Sequence, residues 1–91
     1  MTGTRVVLDD DTRRLLRDLA DKLSGYRPDA PMHEATRLAQ ALVFAERIHG
    51  TTETAFAAEQ QLLAAAPPVR DGITRGEYAT LLRLIAEGVS Q

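Results

Sequence analysis

The sequence predicts an all-α fold: a compact bundle of four antiparallel helices behind a short extended N-terminal arm. Two observations carry this. Apolar residues recur at helical spacing in four stretches, and clusters of breaking residues separate those stretches cleanly. The breakers are Gly25 to Pro31 ("GYRPDAP"), Gly50, and Pro67 to Ile73 ("PPVRDGI"). With 91 residues the chain makes one domain, 1–91, whose core is small enough that a partner subunit would help it. Apolar residues form 44% of the chain, too many for a disordered segment.

Helix 1 is expected at about 10–24. Leu15, Leu16, Leu19, Ala20 and Leu23 form one stripe, with Arg13, Arg14, Arg17, Asp18, Asp21 and Lys22 opposite. Asp10 with Arg14, Arg14 with Asp18 and Arg17 with Asp21 stand at i,i+4 spacing, each pair worth only tenths of a kcal/mol when exposed. Gly25 sits where a left-handed residue would end the helix. The triplet Asp9 to Asp11 reads as a helix start, with Asp9 or Asp10 as cap and Asp11 favouring the helix dipole. The competing reading, a divalent-cation site, lacks the glycine and closing glutamate of a calcium loop.

Helix 2, about 32–49, is the most apolar element and is expected at the centre of the bundle, touched on both sides. Ala35, Leu38, Ala39, Ala41, Leu42, Ala45 and Ile48 cover about half its circumference, and His33, Thr36, Arg37, Gln40 and Arg47 make the polar side. Phe44 projects between Arg37 and Gln40, which with Val43 suggests a second contact surface. Helix 3, about 52–65, starts at Thr51 or Thr52 with Glu53 in its first turn. Ala55, Phe56, Leu62, Leu63 and Ala66 share a face, and Glu59 projects into it. Helix 4, about 75–88, has the clearest start. Thr74 and Glu77 fit a capping box, with Ile73 and Tyr78 as a hydrophobic staple. Its apolar stripe is Tyr78, Leu81, Leu82, Ile85 and Val89.

Much chemistry is excluded. Without cysteine the chain has no disulfide, thiolate metal site or cysteine nucleophile. His33 and His49 lie near opposite ends of helix 2, about 24 Å apart on a straight helix, so they cannot share a metal or a proton. No phosphate loop or nucleophile elbow appears. The reading is therefore a protein with no catalytic residues, no metal and no cofactor. Glu59 is the one carboxylate set in an apolar face; a slight helix rotation or pairing with Arg37 or Arg83 accounts for it, against a functional carboxylate. There is no signal-peptide pattern and no apolar run near the length of a membrane span, which fits a cytoplasmic protein. The net charge of −2 leaves no broad basic surface for nucleic acid.

Residues Arg5 to Leu23 resemble the start of ribbon-helix-helix DNA-binding proteins, many antitoxins among them: a short strand, an acidic turn and an amphipathic helix. The second helix of that family would lie within "PMHEATRLAQALVFA", so the resemblance covers about residues 5–45, roughly half the chain. It implies an intertwined dimer in which Val6 and Leu8 face inward while Arg5 and Val7 meet the DNA major groove.

Two function classes follow. The first is a small non-enzymatic protein–protein interaction module, an adaptor, accessory subunit or regulator. It would use an apolar helical surface at Val43, Phe44, Arg37 and Gln40, with another protein or a second copy of itself as partner. The alternative is a dimeric ribbon-helix-helix regulator or antitoxin binding DNA through Arg5 and Val7. Five acids balance the five bases of Arg5 to Lys22, which favours the interaction module, since phosphate binding needs an excess of positive charge. A third reading is an enzyme subunit contributing Glu59 or His33 to a site shared with its partner.

Overall fold

The computed structural model describes residues 8–88 as four helices, α1 (Asp10–Gly25), α2 (Glu34–His49), α3 (Glu53–Ala65) and α4 (Arg75–Ala86). The described residues contain no strand, only a single antiparallel bridge between Pro31 and Thr74. Arg5, Val6 and Val7 of the arm, and Val89 at the end of the helix 4 stripe, lie outside the described residues.

Helix starts follow the side chains that satisfy free N–H groups. Asp9 caps α1, its carboxylate accepting from the Thr12 N–H at 2.7 Å, so the aspartate triplet is a helix start. Thr52 accepts from the Ala55 N–H, and Thr74 and Glu77 exchange both bonds of the capping box, at 3.1 and 2.9 Å. Gly50 closes α2 with φ +72°, its N–H donating to the Glu46 carbonyl at 2.7 Å. The end of α1 differs from expectation. The helix runs through Gly25, and the left-handed residue is Arg27 at φ +52°, where the Ala30 N–H closes a turn onto the Arg27 carbonyl at 3.0 Å.

α1 packs chiefly against α4, and α2 against α3, while α1 also touches α2 and α3. Each pair is antiparallel. Arg83 reaches Asp21 and Ser24, whereas Arg75, earlier in α4, reaches the later Tyr26 carbonyl. Glu34, at the start of α2, accepts from the N–H of Val69, just beyond α3. The bundle is therefore centred on α1, not on helix 2. Leu15, Leu16, Leu19, Ala20 and Leu23 are fully buried and form the middle of the core. They can take that place because they form one narrow stripe of large side chains, whereas α2 spreads smaller ones around its circumference. The molecule measures 37 × 33 × 19 Å, and 19 Å is about two helix diameters. In two layers no helix is covered on opposite sides by another of the four described helices.

The loops after α1 and α3 join the two pairs. Met32 N–H donates to the Ile73 carbonyl, Arg75 N–H to Ala30 and Gly76 N–H to Pro28, each at 2.9 Å. A Cβ on residue 76 would stand 3.3 Å from both the Pro28 Cβ and its carbonyl oxygen, so the crossing favours glycine in the first turn of α4.

Hydrogen bonding from Thr12 holds the Asp9 carboxyl below its usual range, and bonding from Thr74, backbone first, does so for Glu77. A lowered folded-state value means that these caps stabilise the protein above the ordinary carboxylate value near 4 and lose that contribution as pH falls through the lowered value. In an NMR titration, the Thr12 and Thr74 amide resonances are expected to shift together below about pH 4. Flat titrations of both would refute the assignment of the caps.

Candidate partner-binding surface

The surface is set by the way α3 ends. An α-helical carbonyl normally accepts from the N–H four residues on, but the residue four beyond Leu63 is Pro67, and Pro68 follows; neither has an N–H. Arg37 of α2 supplies the donor that the Leu63 carbonyl lacks, and it bonds the Ala66 carbonyl at the helix cap as well. Its Nη2 donates to the Leu63 carbonyl at 2.7 Å, and Nη2 and Nε donate to the Ala66 carbonyl at 2.8 and 3.1 Å. Its Nη1 pairs with Glu34. The Tyr78 hydroxyl donates to the Pro67 carbonyl, and burial pushes that phenol up to about 12 although the Arg37 charge pulls it down. Arg37 is only 8% exposed, and these bonds offset the cost of removing its charge from water.

An inward Arg37 fixes the rotation of α2. Residues four, seven, eight and eleven positions on share its face, namely Ala41, Phe44, Ala45 and Ile48. Ala41, Phe44 and Ala45 are buried and Ile48 packs against the core. This corrects the sequence-based expectation for Phe44 and Arg37: both belong to the interior, Phe44 at 6% exposure, and neither offers a docking surface. Gln40 is half-buried at their edge, and Val43 alone of the four expected residues is exposed. The stripe expected to be core is split: Ala41, Ala45 and Ile48 do face the core, and the rest faces outward. Leu38 is 46%, Leu42 43% and Val43 45% exposed, with Ala35 and Ala39 exposed among them.

α3 shows a similar turn. Ala55, Ala58 and Leu62 face inward, while Phe56, expected inside, is 64% exposed. Glu59 and Leu63 are half-buried. Neither arginine expected for Glu59 pairs with it: Arg37 is occupied as described, and Arg83 bonds Asp21 and Ser24, both at 2.9 Å. Helix rotation is what takes Glu59 off the core.

The two exposed stripes border one seam. Glu34 reaches the α3 exit, so the flank 34–38–42 of α2 lies toward α3. On α3, Gln61 accepts from Thr12 of α1 at 3.2 Å, and Phe56, Glu59 and Leu63 lie on the far side of the helix from Gln61. Leu38 and Leu42 therefore stand alongside Phe56 and Leu63. The charge there is acidic. Glu46 continues the stripe of Ala39, Leu42 and Val43, Glu59 lies on α3 and Glu53 is in its first turn; among the described residues none of the three is in an ion pair. The hairpin's cationic side chains are turned elsewhere: Arg37 inward, and Arg47 over the Phe44 ring, 5.0 Å from its centroid. His49 Nε2 meets the Asp11 carboxylate of α1 at 2.8 Å, a contact that no local pattern announces.

Other places hold less. An open groove of about 730 Å³ between α1 and α2 has mixed charge, with Arg14, Lys22 and Arg47 facing Asp18 and Asp21. Among the described residues no three His, Cys, Asp or Glu side chains gather as a metal site. The loops 26–33 and 66–74 carry one carboxylate each, Asp29 and Asp71, against the six or more oxygens that calcium takes. His33 is exposed at the N-cap of α2 and makes no capping bond. No helix among the described residues is long and apolar enough to cross a membrane.

Two outcomes follow for unfolding in urea. Arg37→Ala is expected to cost about 2–3 kcal/mol, and less in a Pro67→Ala background, where residue 67 regains an N–H for the Leu63 carbonyl. Equal costs in the two backgrounds would show that the proline exit does not create the need for Arg37. Phe44→Asp is expected to unfold the chain, read as loss of helical circular dichroism, instead of blocking association in a folded protein. The chain matches no protein-family model, no curated protein and no solved structure.

Proposed function

We propose that the protein is a small non-enzymatic interaction module, an adaptor, accessory subunit or regulator, which receives its partner on the outer seam of α2 and α3. One observation carries this reading: α2 is apolar on two sides, and among the described residues only one of them is covered. A helix apolar all round is normally buried all round. Leu38, Leu42, Val43 and Phe56 each leave close to half or more of their area in water, forgoing much of the roughly 1.5–3 kcal/mol that full burial of such a side chain is worth. A partner seated there recovers that energy without any change in the core.

The test is substitution on the seam against substitution elsewhere. Leu42→Asp is expected to keep the helical circular dichroism and to weaken association at least about tenfold, whether with a protein retained from the producing cells or with a second copy in light scattering. Leu84→Asp, at an exposed position of α4, is expected to leave association unchanged. Association that survives Leu42→Asp would overturn the proposal. Retention on duplex DNA at low salt, lost on Arg5→Ala, would favour the DNA-binding alternative.

A further inference from the structure

We propose that the occupant of the α2–α3 seam is a basic amphipathic helix, one with an apolar stripe flanked by lysine or arginine. This rests on the docking reading above and adds the chemistry of the partner. Shape comes first. A seam between two antiparallel helices is a groove whose ridges repeat at i, i+3 and i+4, and a third helix fills it ridge into groove. On α2 the stripe of Ala35, Leu38, Ala39, Leu42 and Glu46 runs about 17 Å, or three turns. Its alanines let another helix approach closely between the flanking leucines.

Charge then selects among helices. Glu46, Glu53 and Glu59 edge the seam without ion pairs among the described residues, and no arginine or lysine of the hairpin faces it. The chain's other cations sit mainly on α1 and α4. Three of these already have partners: Arg14 at Asp18, Arg83 at Asp21, and Arg75 at the Tyr26 carbonyl and over its ring. A second copy docking face to face would set Glu46 and Glu59 against residues of the same sign, which penalises the pairing. A helix with basic flanks meets the same acids as partners and is steered toward them at low salt.

The probes are two synthetic peptides of roughly 18 residues, about five helical turns. Both carry the same leucine stripe, one flanked by lysine and the other by glutamate, and each is titrated against the full chain by fluorescence anisotropy. The lysine peptide is expected to bind at least about tenfold more tightly than the glutamate peptide, and its binding to weaken as salt rises. The double variant Glu46→Lys, Glu59→Lys is expected to invert that preference with unchanged circular dichroism, and Leu42→Asp to abolish binding of both peptides. Equal binding of the two peptides, binding of neither, or an unchanged preference in the double variant would overturn the assignment. So would a dimer in light scattering that Leu42→Asp dissolves, since the occupant would then be a second copy. If the peptides fail while Leu42→Asp still abolishes association with a cellular protein, the docking surface stands and only the basic-helix assignment falls.

Discussion

The guanidinium of Arg37 at the end of α3 is the interaction on which the rest of the arrangement depends. Two prolines after Ala66 deprive the last turn of α3 of backbone donors, and an unpaired buried carbonyl is costly. Arg37 meets that need at Leu63 from the neighbouring helix and bonds the Ala66 carbonyl at the same time. A planar fork with five donors suits two adjacent carbonyls and a carboxylate better than an ammonium would. In doing so it turns α2 so that Phe44 goes inward and Leu42 outward. One polar contact thus decides which apolar arc becomes core and which becomes surface.

The same contact explains what was legible in the sequence. α1 was readable because its leucines make a single stripe at helical period, leaving one possible buried face. Helix starts were readable because caps are local: Asp9, Thr52 and the Thr74–Glu77 pair act within three residues of themselves. The rotation of α2 was not readable from hydrophobicity, because both of its sides are apolar and a moment cannot choose between two arcs. Arg37 was assigned to the polar side on the general rule that arginine stays exposed. The signal that overrules it lies thirty residues away, in Pro67 and Pro68, and becomes visible only when the fate of the Leu63 carbonyl is asked. Gly25 failed for a similar reason, since a left-handed Arg27 held by the Ala30 turn took the role expected of glycine.

The candidate surface inherits these limits. Val43 is exposed, but Phe44 and Arg37, read as part of the same surface, are buried, because one error in rotation exchanges neighbouring positions. The seam itself is a tertiary fact. It exists because the four described helices build two layers and because bonds to α1 and to the α3 exit set the flanks of both helices. Charge segregation adds to it. The acids of α2 and α3 border the uncovered side, while many of the cations lie on α1 and α4, so a nearly neutral total conceals a face of one sign.

The single rotation of α2 also bears on how the sequence is free to change. Positions 37, 41, 44, 45 and 48 make the inner face, and positions 35, 38, 39, 42, 43 and 46 are largely turned to water. The two sets interleave along one helix without sharing a residue. Substitutions among the outer set leave the inner set, and with it most of the core, untouched. A lineage carrying this fold is therefore able to vary its outer surface in small steps, with little of the usual conflict between changing a surface and keeping the protein folded.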